Sequence, residues 1–275
     1  MMEFAAFAAA MLLTGAIGGL LAGLLGIGGG IVIVPVLDAV LSLYGTDPAI
    51  RMQVAVATSL ATIIPTSISS SRAHHRRGSV DTELVRRWAV FVLAGSLAGA
   101  FIAAGVHSRT LSLVFAVVAL LIAAKMILPL DGRTLAQSVP RGPFMPIVPA
   151  VIGGLSSMMG IGGGTLSVVI LTLLNEPIHR AVGTAALFGL AISLPGTIGF
   201  IVAGYGDARL PPFSLGFVNL VGFALIAPAT WMSAPAGAAL AHRLSPRQLS
   251  LIFGVFLVLV SARMFSQAFH APAGP

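Results

Sequence analysis

Two glycine runs carry the most chemistry this chain has to offer. Gly26-Ile27-Gly28-Gly29-Gly30 and Gly160-Ile161-Gly162-Gly163-Gly164 repeat one pattern 134 residues apart. Each lies in an uncharged stretch, Phe4 to Leu37 and Gly142 to Asn175. Glycine lets backbone approach a ligand closely and take positive φ. A helix that starts at such a run presents unpaired N–H groups and the positive end of its dipole, which favour an anion. Gly28, Gly29, Gly30, Gly162, Gly163 and Gly164, with Thr165 opening the segment that follows, are therefore read as substrate-binding. The competing use is tight packing of small residues, which suits Gly15, Gly19 and Gly23 better. Neither run fits G-x-G-x-x-G, because Ile31 and Thr165 hold the last position, and no P-loop lysine follows.

Hydroxyls form a second constellation. Ala55-Val56-Ala57-Thr58-Ser59 resembles Ala181-Val182-Gly183-Thr184-Ala185. Thr58, Ser59 and Thr184 can donate to a ligand oxygen without burying a charge, or bond to their own helix carbonyl one turn back. Charges are few. Asp38 could relay a proton or cap its short segment. Arg51 and Arg180 precede the threonine-bearing segments and are placed to attract anions at cavity mouths. Lys125 and Arg263, at equivalent places near segment ends, are expected to snorkel. His74 and His75 stand in a basic loop with too few companions for a metal site. No cofactor is expected, and the absence of cysteine excludes disulfides and thiolate chemistry.

The elements that must position these residues are membrane helices. The 275 residues are 57% hydrophobic and 8% charged, where a soluble domain carries roughly 25% charge. Uncharged runs such as Met52–Ser71, Trp88–Val106 and Ala181–Gly206 reach about the 20 residues a crossing needs. Phe4–Leu25 reads as a retained span, since Glu3 is the only charge before it. The net charge of +7 reflects loop arginines, not nucleic-acid binding. The fold class is thus an all-α integral membrane protein. It has about 8–10 transmembrane or half-membrane helices in two inverted repeats, with broken helices at the glycine motifs.

Each half holds five hydrophobic segments, about 4–25, 30–43, 52–71, 88–106 and 110–128, then 145–160, 164–175, 181–203, 213–241 and 247–267. Pro228 and Pro235 predict a kink or break in the 213–241 segment. The halves match further at an offset of 138, as in Gly99 with Gly237 and Arg109 with Arg247. Residues 1–130 form the first repeat, 131–144 a cytoplasmic linker and 145–275 the second repeat. Five segments per half makes the second inverted. With the Arg72–Arg87 loop in the cytoplasm, ten arginines fall inside against Arg51, Arg109 and Arg209 outside, as the positive-inside rule requires.

The doubled GIGGG, Pro35 and Leu37 after its first copy, the Ala-Val-x-Thr blocks and the Gly237-Ala238 to Met264 region resemble the TauE/SafE family. This family is also called the sulfite exporter or toluene sulfonate uptake permease family. The resemblance spans nearly the whole chain and implies movement of sulfite, organosulfonates or related sulfur-containing anions across the prokaryotic plasma (inner) membrane. The chain departs from the pattern at Val169, in the place of a second proline, and at Ala185, in the place of a second serine. The expected function is a secondary transporter working as an exporter of small sulfur-containing anions, with an anion channel of the same fold as the alternative. Too few titratable groups are present for an embedded enzyme. The expected partners are the anion and the lipid bilayer, and a homodimer is compatible with the reading.

Overall fold

The computed structural model describes residues 2–25, 29–76, 78–128, 146–241 and 245–270. Gly26 to Gly28, the 131–144 linker, Arg77, Arg133, Arg141 and Arg243 lie outside the described residues. Ten helices run in order: α1 (Met2–Leu25), α2 (Gly30–Leu43), α3 (Arg51–Arg76), α4 (Thr82–Gly105), α5 (Ser108–Ile127), α6 (Ile147–Met159), α7 (Gly164–Leu173), α8 (Ile178–Ala203), α9 (Leu220–Ala241) and α10 (Pro246–His270). A two-strand hairpin, β1 (Ser214–Leu215) and β2 (Val218–Asn219), precedes α9.

Among the described residues, Arg51–Arg76, Thr82–Gly105, Ser108–Ile127, His179–Ala203 and Ser250–Phe269 are long and apolar enough to cross a bilayer. Large apolar side chains such as Val90, Phe101, Leu121, Val202, Met232 and Leu259 are exposed, as a lipid-facing surface requires. At about 1.5 Å per residue, α2 and α7 reach only about 21 and 15 Å, half to two-thirds of a roughly 30 Å core. They are the short pieces that follow the glycine runs.

Helix pairs recur when the halves are exchanged. α1 packs on α9 through Gly15 and Gly19, where an added Cβ would meet Ala229 and Ile226, or Ser233 and Thr230. α4 packs on α6 through Gly95 and Gly99, against Ala150 and Gly154. Both are small-residue contacts of the kind that hold membrane helices without a hydrophobic driving force. Both pairs run parallel. α5 and α10 instead run antiparallel: Ser250 donates to Met126 O at 2.7 Å and Ser261 to Ala116 O at 2.8 Å. α3 and α8 are also antiparallel, because the hairpin bonds both Thr58, near the start of α3, and Phe200, near the end of α8.

One segment differs from expectation. The 213–241 run is not one helix, since its first residues fold into the hairpin. Phe213 and Gly216 take positive φ of 60° and 53°, and Phe217 docks on Phe200, donating to its carbonyl. α9 is then unbroken through Pro228 and Pro235. α2, α3 and α8 likewise continue through Pro35, Pro65 and Pro195.

Candidate anion site at the helix breaks

The two glycine motifs meet. An added Cβ on Gly30 would lie 2.3 Å from Gly160 O and 2.9 Å from Ile161 Cα, so only glycine permits the approach. Gly29 and Gly163 precede α2 and α7 in the same left-handed conformation, φ 76°, ψ −14° and φ 77°, ψ −15°. This geometry re-aims the chain into a new helix and suits glycine alone among common residues. Gly28 lies outside the described residues. Gly164 is the first residue of α7, and the first amide to close onto the helix is Ser167 N, on Gly163 O at 2.9 Å. The N–H groups ahead of it have no intrahelical carbonyl to reach.

On the other side of the second break, α6 closes with a left-handed Gly160. Gly160 N donates to Ser157 O and Ile161 N to Ser156 O, the paired bonds of a Schellman stop. Ser59 donates to Gly160 O at 2.8 Å, tying α3 to the break.

Buried hydroxyls lie on the helices that meet at this break. Ser156 and Ser157 end α6, Thr165 and Ser167 open α7, and Ser193 and Thr197 lie on the adjoining part of α8. The side-chain oxygens of all six are buried without a hydrogen-bond partner. Ser157 Oγ is 2.7 Å from where a Cβ on Gly196 would sit, and Gly163 packs on Ile192 and Phe188, so α8 closes over the break. Thr165 stands as expected beside the glycines, and the other five are additional. They have a sequence signal: Ser and Thr flank the second GIGGG on both sides. The corresponding residues of the first motif are Ala22, Gly23, Ile31 and Ile33. The hydroxyls at these positions therefore flank the second motif and not the first.

Thr58 and Thr184 take matching places elsewhere. Thr58 Oγ1 accepts from Asn219 N at 2.9 Å, while Asn219 Oδ1 caps α9 by accepting from Gly222 N at 2.7 Å. Thr184 Oγ1 accepts from Asp81 N at 3.0 Å, while Asp81 Oδ1 caps α4 by accepting from Leu84 N at 3.0 Å. Each threonine anchors the N-cap of a helix from the other half, and capping accounts for the Asp and Asn.

Both candidate arginines are paired. Arg51 Nε donates to Asp38 Oδ1 at 2.9 Å, with Asp38 only 2% exposed and Arg51 18%. The pair ties α3 to α2, and Asp38 caps no helix. Arg180 meets Asp81 at 2.6 Å and Glu176 at 3.9 Å. Lys125 is tied down where snorkelling was expected: its Nζ donates to Thr172 Oγ1 at 2.9 Å, linking α5 to α7. Its counterpart Arg263 is exposed. Among the described residues no cluster of three His, Cys, Asp or Glu could hold a metal.

The model of the family described as sulfite exporter TauE/SafE matches residues 11–264. The chain belongs to this family. It is 36% identical over 258 residues to a "Probable membrane transporter protein" of Haemophilus influenzae, covering 92% of this chain and 96% of that one. It is 26% identical to the "Probable membrane transporter protein YunE" of Bacillus subtilis, again over 92% and 96%. With the "Probable membrane transporter protein MJ0441" of Methanocaldococcus jannaschii the identity is 24%, over 94% and 97%. No solved structure matches. The family and the apolar helices make this chain a multi-pass membrane transporter.

Proposed function

We propose that this family member is a secondary exporter of sulfite, organosulfonates or related small sulfur-containing anions in a prokaryotic inner membrane. The observation that carries the reading is the set of four buried, unpartnered hydroxyls, Ser156, Ser157, Thr165 and Ser167, on either side of the second glycine motif. A buried polar group without a partner is costly, and four of them gathered at one helix break support a ligand there. The right ligand has many acceptors and no need for a countercharge. Sulfite and sulfonates offer three oxygens, and hydroxyls and amides offer the donors.

Sidedness follows from charge: the arginine bias and the antiparallel runs of α3 with α8 and of α5 with α10 favour inverted repeats. The family name supports the sulfur chemistry. A thermal-shift screen of purified protein against sulfite, sulfate, thiosulfate, taurine and sulfoacetate tests the substrate class. Stabilisation by at least one sulfur oxyanion is expected. No shift with any of them, at concentrations up to tens of millimolar, rejects it.

A further inference from the structure

A groove of 740 Å³ lies between the second half of α3 and the first half of α9. Its α3 wall includes Ser69, Arg72 and Arg76, and its α9 wall Phe223, Ala227 and Trp231. It is not the site at the breaks. Val56, Ile63 and Ser67 turn the other face of α3 to Gly160, Gly162 and Gly189. At about 100° per residue, the groove-lining residues of α3 point roughly the opposite way.

The groove is graded along its length. α3 and α9 run together from the Thr58–Asn219 bond and separate beyond it. Apolar residues line the middle, and the two arginines stand at the far end, roughly 21 and 27 Å along α3 from Thr58. Arg51, Arg87, Arg180 and Arg209 each meet a carboxylate, but no described carboxylate lies within 4.0 Å of Arg72 or Arg76. Trp231 is 67% exposed beside them, and an amphipathic indole with arginines marks headgroup depth.

We propose that this groove binds an acidic phospholipid. The phosphate meets Arg72 and Arg76, Ser69 offers a hydroxyl below it, and an acyl chain lies along Phe223 and Ala227. An apolar trench ending in two cations with no described carboxylate beside them complements an anionic amphiphile and not a neutral one. The inference does not depend on which anion crosses at the breaks.

Trp231 is a built-in reporter, because the other tryptophan, Trp88, is fully buried. The protein is reconstituted with phosphatidylglycerol or phosphatidylcholine brominated on the acyl chain, and tryptophan quenching is compared. Phosphatidylglycerol should quench Trp231 in excess of its mole fraction, and Trp231→Phe should remove the signal. Arg72→Gln and Arg76→Gln should each weaken the preference about fivefold. Native mass spectrometry of the unmutated protein should also retain phosphatidylglycerol over phosphatidylcholine. Equal quenching by both lipids, or a preference that survives both arginine substitutions, overturns the site. So does loss of the preference to soluble glycerol phosphate, which would mean a free anion binds there. Absence of quenching with Ser69→Cys cross-links between copies would put a second protein in the groove, and also overturns it.

Discussion

Single hydroxyls divide into two kinds. Thr58 and Thr184 accept from backbone amides 161 and 103 residues away, so Thr58→Val strands a buried N–H and Thr184→Val a half-buried one. Each should cost about 1–3 kcal/mol, seen as a lower thermal midpoint of the ligand-free protein. Ser157 has no such bond to lose. Ser157→Ala should leave that midpoint nearly unchanged while weakening anion affinity. The residue types were legible in the sequence and their partners were not. Nothing local says that Thr58 faces Asn219, because the pairing comes from how the halves interlock. The same holds for Arg51, whose carboxylate partner was visible as a residue but not as a neighbour. The hydroxyls around the second motif were legible as a contrast between two copies of one pattern.

Helices were the most legible feature. Uncharged length and glycine punctuation place most segments within a few residues, and α2 begins at Gly30 and ends at Leu43 as read, though α4 starts at Thr82, six residues ahead of its uncharged run. The hairpin before α9 was hidden because Phe213, Leu215, Phe217 and Val218 read as apolar membrane sequence, while positive φ and docking on Phe200 decide the fold. Prolines do not end these helices, for a related reason. A membrane helix continues through proline where neighbouring groups re-satisfy the freed carbonyl. The breaks themselves rest on backbone meeting backbone. Gly30→Ala would push a methyl into Gly160 O, an atom that cannot swing aside, so the yield of folded protein should fall sharply on size-exclusion chromatography. Gly163→Leu should fail similarly, strained at φ 77° and blocked by Ile192. Glycine substitutions therefore report on the fold, and the hydroxyls are the residues that separate binding from folding.

The whole molecule joins two halves that exchange helices: the first helix of each packs on the fourth of the other. If the halves are inverted, cysteines introduced at Ser79 and Ala208 should react with an impermeant maleimide from opposite sides of the membrane; labelling from one side would contradict the inversion. The proposed binding mode holds a small sulfur oxyanion by neutral donors at the start of α7. Its most direct test is sulfite flux and binding in proteoliposomes containing the unmutated protein, Ser157→Ala or Thr165→Val. Losing one hydrogen bond to a charged ligand costs about 1.5–3 kcal/mol. Each variant should therefore bind sulfite roughly ten- to a hundredfold more weakly, with a saturable flux that shifts to match. Unchanged sulfite binding and flux in both variants would contradict neutral-donor binding at α7.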